Sequence, residues 1–197
     1  FTKDENYLPV QWEKIDIQIT DDMGKPLFIQ KNVEFPAYFS NLSRKIIASR
    51  YFYGDIKKME RENSFKQVVS RVSQTFTKWG LKQGYLNEKE AEIFKDELAY
   101  LVLTQRMSFN SPVWFNVGTD IYESTRSFEK KDGFILKDGK AVEIPIGENH
   151  LYPQTSACFI QDVQDNMEDI MDLAKREAML FKHGSGTGTD LSTLRSS

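Results

Sequence analysis

Apolar and polar residues alternate near the start of the chain, with the period of a β-strand that buries one face. Ile15, Ile17 and Ile19 are separated by polar residues, DDMGKP supplies turn-forming residues, and PLFIQKNVEF returns with residues that favour strands. Residues 12–35 are therefore predicted to form a β-hairpin.

The next two segments repeat apolar residues every three or four positions, the period of an amphipathic helix. Residues 38–53 form the first, with one apolar face made of Phe39, Leu42, Ile46 and Ile47. The second helix begins at Ser64, and Gly80 provides a C-terminal stop. Its apolar stripe is Phe65, Val68, Val69, Val72, Phe76 and Trp79.

A third helical pattern follows Asn87 and Glu90, which have the spacing of a capping box. Its apolar positions are Ala91, Phe94, Leu98, Leu101 and Val102. We expect this helix to pack antiparallel to the one before it, with both stripes in the core.

The second half of the chain contains two apolar runs that favour buried strands, FNSPVWFNVG and SACFIQDV. Residues 119–150 lie between them and are polar and rich in turns, so we expect a surface excursion with a small hairpin. Asp165 and Glu168 then form a capping pair ahead of another helix, with Asp172 and Arg176 paired on its outside. The apolar stripe of that helix is Met167, Ile170, Met171, Ala174, Ala178 and Phe181.

The composition argues against several classes of protein, among them nucleic-acid-binding, membrane-spanning and metal-binding proteins. The 197 residues include 26 basic and 29 acidic ones, and a net charge of −3 argues against binding to duplex nucleic acid through a broad basic surface. No apolar run approaches the roughly 18 residues of a membrane span, and the N-terminus lacks a signal-peptide pattern, so a cytoplasmic protein is expected. One cysteine and two histidines predict neither a disulfide framework nor a metal site.

The stretch HGSGTGTDLSTLRSS contains three alternating glycines, Gly184, Gly186 and Gly188. It matches neither the dinucleotide-binding pattern nor a P-loop, and it follows a helix. Two interpretations stay open: the glycines let a phosphate or ribose approach the main chain, or Gly184 caps the helix and a flexible turn follows.

Four other residues also have two interpretations each. Cys158 is a small buried hydrophobe or a thiol that cycles through a disulfide with a partner outside this chain. Asp165 caps the following helix or accepts hydrogen bonds from a ribose. Ser111 is a turn residue or a phosphate contact, and Arg195 is a surface charge or an anion clamp.

Together, QKNVEFP, FNSPVWFNVG and the segment from SACFIQDV to the end resemble the N-terminal part of adenosylcobalamin-dependent, class II ribonucleotide reductases. The resemblance implies an α/β protein, α+β in this segment. Residues 1–107 would form a helical region with a small hairpin, and residues 108–197 the first strands and helix of a ten-stranded α/β barrel. The resemblance is weakest over residues 119–150.

The resemblance also implies roles at the substrate. Ser111 matches a serine that helps to hold the substrate phosphates, and Ala157 and Cys158 match the pair beside the ribose. Gly186 falls where the glycine loop of the family meets the substrate. Cys158 would be one half of the redox pair, and the second thiol would come from outside this chain.

For the specificity site, Asp165 matches an acidic residue that binds the ribose of a deoxynucleoside triphosphate effector. Arg195 matches a basic residue near the phosphates of that effector. The helix at residues 166–182 resembles one through which two subunits pack into a homodimer. Asn166 stands where many relatives carry serine.

The full enzyme implied here reduces ribonucleotides, expected to be diphosphates, by thiyl-radical chemistry with adenosylcobalamin and a thioredoxin-type reductant. The radical cysteine and most cobalamin-binding residues are expected in the remainder of the reductase, so this chain alone should be inactive. Two alternatives remain: a non-catalytic nucleotide-binding module, and a related reductase that takes its radical from a metal-bearing subunit.

Overall fold

The computed structural model describes residues 10–56, 61–125, 134–145, 148, 151–182 and 184–196. Over these residues the chain is α+β, as predicted, with strands at both ends of a helical region. In chain order the elements are β1 (Trp12–Thr20), β2 (Pro26–Pro36), α1 (Asn41–Ile46), α2 (Phe65–Lys82), α3 (Glu88–Leu103), α4 (Ser111–Asn116), β3 (Phe134–Lys137), β4 (Lys140–Glu143), β5 (Cys158–Asp162), α5 (Met167–Lys182) and β6 (Gly186–Asp190).

The first two strands form the predicted antiparallel hairpin. Asp21 shapes its turn, because one carboxylate oxygen accepts hydrogen bonds from the amides of Met23 and Lys25 at 3.0 and 2.8 Å. The inward residues, Ile17, Val33 and Phe35, are buried against the helices. Strand alternation therefore identified the hairpin correctly.

The predicted helix over residues 38–53 is present, but only half of its predicted apolar face is confirmed, since Phe39 and Ile47 pack in the core. α1 is capped by Ser40 and continues as a π-helical turn, Ile47–Tyr51. Leu42 and Ile46 are exposed, whereas Ala48 and Arg44 are buried. Arg44 faces the hairpin because its guanidinium pairs with Glu13 at 2.6 Å and donates to the main chain of β2 and the residue after it.

The predicted helix start at Ser64 and the predicted capping box of Asn87 with Glu90 are confirmed. Ser64 also forms a capping box with Gln67, which was not predicted. α2 and α3 pack together, joined by a short turn. Within their predicted stripes, Phe94 and Leu101 are about one-third exposed.

Gly80 does not end α2, contrary to the sequence-based expectation. The helix runs to Lys82, and the residue in the left-handed conformation is Gly84, with φ of +75°. Gly80 instead leaves room for Leu86, whose Cδ1 would lie 2.6 Å from a Cβ at that position. The glycine serves packing between the helix and its exit turn.

The segment FNSPVWFNVG is a helix, and the prediction of a buried strand was wrong. Asn110 caps α4 through the amide of Val113, and Pro112 lies in the first turn, where its missing amide hydrogen costs nothing. These local signals outweigh the strand preference of valine and the aromatic residues. Val113 and Trp114 are nevertheless buried, as the apolar pattern suggested.

A buried ion pair joins α2, α4 and the π-helical turn. Arg71 Nε lies 2.8 Å from Glu62 Oε1, and both side chains are fully buried. The guanidinium also donates to the main-chain oxygens of Trp114 and Val117, each at 2.7 Å. Glu62 accepts further hydrogen bonds from the amide of Tyr53 and the hydroxyl of Tyr122. Sequence patterns did not reveal this cluster.

The predicted excursion over residues 119–150 contains a 3-10 helix, Thr119–Thr125, and the expected hairpin, β3 with β4. The hairpin is largely exposed. Residues 126–133, 146–147 and 149–150, and with them His150, lie outside the described residues, as does His183.

The C-terminal unit is a β-α-β motif. β5 and β6 pair in parallel, connected by α5. SACFIQDV therefore contains the predicted strand, but Cys158, Ile160 and Asp162 are exposed rather than buried. The glycine-rich stretch also forms a strand, so the interpretation as a flexible turn was wrong.

The cap of α5 differs by one position from the prediction. Asn166 Oδ1 accepts the amide of Asp169 at 2.9 Å, and Asp169 Oδ2 accepts the amide of Gln164 at 2.6 Å. Asn166 therefore caps the helix, and Asp165 is left for another partner. Arg176 lies 4.0 Å from Asp169 on the outer surface.

Candidate functional site

One face of the β5–β6 pair is open. Because side chains alternate along a strand, residues two apart share a face. The open face carries Cys158, Ile160, Asp162, Gly186, Gly188 and Asp190, which pair across the two strands. The opposite face lies toward α5, where Thr189 Oγ1 donates to Glu177 at 3.0 Å and Leu173 is buried.

Cys158 and Gly186 are direct neighbours on the open face. The amide of Gly186 donates to the carbonyl of Ala157 at 2.6 Å. A Cβ built on Gly186 would lie 3.5 Å from Cys158 Sγ, so the glycine leaves space beside an exposed thiol. Three of the predicted substrate residues thus come together, and the interpretation of Cys158 as a buried hydrophobe was wrong.

The start of this strand pair is held by a polar cluster that sequence patterns did not reveal. The Ser185 hydroxyl is buried and donates to the carbonyl of Ser156 at 2.9 Å. Gln154 Nε2 donates to the same carbonyl at 2.9 Å and also to Ser185 Oγ. The only sequence signal was a polar residue placed shortly before the strand.

The same cluster connects the segment before β5 to α4. Asn116, the last residue of α4, donates from Nδ2 to the carbonyl of Gln154 at 2.8 Å. Ser111 lies at the other end of α4, where its Oγ is 3.0 Å from the Tyr51 hydroxyl. The polar cluster that precedes β5 is therefore hydrogen-bonded to the helix whose first residue is Ser111.

Asp165 and Arg195 form an ion pair, with Oδ2 and Nε 2.9 Å apart. Asp165 follows β5 and Arg195 follows β6, so both lie beyond the carboxyl ends of parallel strands, where α/β folds commonly bind ligands. Thr193 donates to the carbonyl of Val163 and links the two loops. The pair is accessible, since the Arg195 side chain is 79% exposed.

Gly184 has the conformation expected of a helix cap. Its φ is +80°, its amide donates to Phe181, and the amide of Ser185 donates to Leu180. Of the two interpretations of the glycine stretch, the cap holds for Gly184, while Gly186 and Gly188 line the open face.

The outer face of α5 is apolar and exposed, and it includes residues of the apolar stripe identified in the sequence. Met167, Met171 and Phe181 are each more than half exposed, whereas Leu173 is buried against the strands. The helix thus presents one apolar face inward and a second outward.

The described residues were also compared with the requirements of a metal site and of a membrane-spanning helix. Within the described ranges, no three His, Cys, Asp or Glu side chains are grouped so that they could hold a metal ion. None of the described helices combines the length and apolar character that crossing a membrane requires.

Known proteins match the chain on both sides of the excursion. The family model of class II vitamin B12-dependent ribonucleotide reductase matches residues 13–105, and that of the ribonucleotide reductase barrel domain matches residues 156–197. The chain belongs to the class II, vitamin B12-dependent ribonucleotide reductases.

Individual reductases agree with this assignment. The vitamin B12-dependent ribonucleotide reductase of Rhodopirellula baltica is 45% identical over 193 residues, which cover 94% of this chain and 18% of that protein. That of Streptomyces coelicolor is 40% identical, covering 97% of this chain and 17% of the relative. The vitamin B12-dependent ribonucleoside-diphosphate reductase of Thermoplasma acidophilum is 48% identical over 42 residues. The chain spans less than a fifth of the length of these relatives.

One cavity among the described residues of this reductase chain is too small for a cobalamin. This cavity of about 450 Å³ lies between α1, α2 and α4, lined by apolar and aromatic side chains such as Phe65, Val68 and Trp114. That volume suits a small ligand, whereas a corrin ring with its amide side chains is considerably larger.

Proposed function

We propose that this chain supplies one wall of the substrate site of a ribonucleotide reductase that converts ribonucleoside diphosphates to deoxyribonucleotides. The observation that carries the proposal is the exposed Cys158 thiol beside Gly186. A redox thiol must be accessible to its substrate and to its partner thiol, and a neighbouring glycine lets a ribose approach both strands.

In this proposal Cys158 is a reductant. The ribonucleotide loses its 2′-hydroxyl as water and gains hydrogen at that carbon. Two thiols supply the two electrons and two protons and end as a disulfide. Because Cys158 is the only cysteine of the chain, the second thiol must come from the remainder of the reductase. A thioredoxin-type reductant then restores both thiols.

The remaining parts of the enzyme belong to the same proposal. A thiyl radical, generated with adenosylcobalamin bound by the remainder of the protein, starts the reaction at the ribose. Ser111 contacts the substrate phosphates and Ala157 lies beside the ribose. The isolated chain is inactive, and the complete enzyme acts in the cytoplasm. The division of the chain into a helical region, residues 1–107, and the first part of the barrel, residues 108–197, also stays a prediction.

A deoxynucleoside triphosphate binds near Asp165 and Arg195 as the specificity effector. Their position after adjacent parallel strands supports this assignment, since an exposed carboxylate can accept from ribose hydroxyls while a guanidinium contacts phosphate. The outward apolar face of α5 supports packing of two subunits through residues 166–182, because an exposed apolar stripe gains free energy when a partner covers it.

The experiment that tests the redox assignment is Cys158→Ser in the complete reductase. Thioredoxin-driven turnover should be lost. The free energy of unfolding should change by less than about 0.5 kcal/mol, because the side chain is exposed. Sustained turnover by the folded variant would show that Cys158 is not the reductant.

A further inference from the structure

Tyr51 is the residue that contacts the Ser111 hydroxyl. It is the last residue of the π-helical turn, and its hydroxyl oxygen lies 3.0 Å from Ser111 Oγ. Its ring stacks on Phe115, four residues after Ser111, with centroids 5.2 Å apart and an interplanar angle of 15°. Tyr51 therefore covers the side of α4 that carries Ser111.

The position of Tyr51 is set by the buried core. Its carbonyl accepts a hydrogen bond from Arg71 Nη2 at 3.3 Å. The same nitrogen donates to the carbonyl of Trp114 in α4 at 2.7 Å, and Arg71 is fixed by its ion pair with Glu62. One buried guanidinium thus holds both Tyr51 and the helix that carries Ser111.

Either hydroxyl can donate in this contact, and the choice of donor decides where the serine proton points. A serine hydroxyl has one proton to donate and two lone pairs that accept. Phosphate oxygens that carry negative charge accept hydrogen bonds, so a serine that binds phosphate must donate. When the Tyr51 phenol donates to Ser111 Oγ, the serine proton stays available and the chain of two hydrogen bonds is mutually polarised.

We propose that Tyr51 is a positioning residue, which donates to Ser111 Oγ and directs the serine proton to a phosphate oxygen of the ribonucleotide. The inference rests on the proposed phosphate contact of Ser111. Tyr51 itself need not touch the substrate.

The test compares Tyr51→Phe with Tyr38→Phe in the complete reductase. Tyr51→Phe keeps the ring stacked on Phe115 and removes only the hydroxyl. KM for the ribonucleotide should rise roughly 2- to 10-fold, as for loss of one hydrogen bond, while kcat stays nearly unchanged. Tyr38 is the matched control, since its hydroxyl donates to the carbonyl of Leu103 at 2.6 Å. Its variant should leave KM unchanged.

A double-mutant cycle with Ser111→Ala separates positioning from packing. Once Ser111 is alanine, Tyr51→Phe should raise KM no further. The role of Tyr51 would be overturned if Tyr51→Phe raised KM equally in both backgrounds. It would also be overturned if Ser111→Ala raised KM while Tyr51→Phe alone left KM unchanged. If Ser111→Ala itself leaves KM unchanged, the phosphate contact proposed for Ser111 is contradicted, and the inference about Tyr51 falls with it.

Discussion

Cys158 and Gly186 lie opposite each other in the parallel pair of β5 and β6, and a Cβ on Gly186 would be 3.5 Å from the sulfur. They are 28 positions apart in sequence, and α5 lies between them. The pairing of the two strands therefore creates the environment of the thiol.

Enlarging Gly186 should shield the thiol. Alanine fits, because its Cβ would make only ordinary contact with the sulfur, whereas the two methyl groups of valine would occupy the space beside it. Since Cys158 is the only cysteine, its alkylation by iodoacetamide can be followed directly in this chain. Gly186→Val should slow that reaction and, in the complete reductase, lower kcat/KM on the order of 100-fold.

Gly188→Val is the control for Gly186→Val. It changes the same strand and face but meets Ile160, whose Cδ1 would lie 3.4 Å from the new Cβ. Alkylation of Cys158 should be almost unaffected. Equal slowing in both variants would mean that valine disturbs the strand pair rather than the space beside the sulfur.

Removing the charge of Asp165 or Arg195 should weaken binding of the effector. Because the ion pair is exposed, Asp165→Asn and Arg195→Gln should each change the free energy of unfolding by less than about 1 kcal/mol. The apparent Kd of a deoxynucleoside triphosphate for the complete reductase should rise about tenfold or more, since each variant loses a charge-assisted hydrogen bond. Lys140→Gln, on the exposed hairpin, is the charge-matched control. Unchanged effector affinity in both site variants would refute the assignment.

Gly118→Ala should destabilise the chain. Gly118 has φ of +71°, and a Cβ there would collide with the carbonyl of Arg71 and lie 2.7 Å from Thr75 Oγ1. Because of the left-handed conformation and the overlap, the free energy of unfolding should fall by about 2–4 kcal/mol, as measured by urea unfolding.

Gly84→Ala separates the two causes at Gly118. Gly84 has nearly the same φ, +75°, but nothing lies within 4 Å of a Cβ there. Gly84→Ala should therefore lower the free energy of unfolding by only about 1 kcal/mol, because the backbone conformation is the only unfavourable contribution. Equal losses in the two variants would exclude the overlap as a significant cause.

Stability should fall at alkaline pH because of Tyr122. Burial, together with the charge of Glu62 and the hydrogen bond to it, raises the pKa of Tyr122 from 10.0 to about 12. The unfolded chain releases this proton near pH 10 while the folded chain keeps it, so the free energy of unfolding falls as pH rises from about 10 to about 12. Below pH 10 this contribution is fully present.

Tyr122→Phe isolates that effect, since the other groups titrate alike in both proteins. The difference in free energy of unfolding between wild type and variant should shrink across this pH interval, measured by urea unfolding at each pH. If the free energies of unfolding of wild type and variant changed in parallel with pH, the alkaline loss of stability could not be assigned to Tyr122.

Predictions from the sequence succeeded where a few neighbouring residues decide the outcome. The helix start at Ser64, the capping box at Asn87 and the first hairpin are confirmed. The strand predicted over FNSPVWFNVG was wrong because apolar content was weighted above the cap at Asn110 and the proline at position 112. The cap of α5 was misplaced by one residue because Asp165 and Asn166 are both good caps, and the structure uses Asn166.

The faces of helices were predicted less well. Leu42 and Ile46 lie outside and Arg44 inside, because the hairpin offers Arg44 a carboxylate and main-chain oxygens. Periodicity identifies an apolar stripe but cannot tell whether the chain itself covers it. The outward methionines of α5 are an example.

The sequence by itself determined the family, the elements with strong local caps or alternation, and the candidate residues from Ser111 to Arg195. Only the tertiary structure decided that Asp165 pairs with Arg195, that Glu62 is buried against Arg71, and that Cys158 faces Gly186. The physical reason is the separation along the sequence between the residues that interact. Caps and turns depend on hydrogen bonds between residues a few positions apart, whereas these pairs form only after strands and helices have packed and the intervening chain has closed into loops.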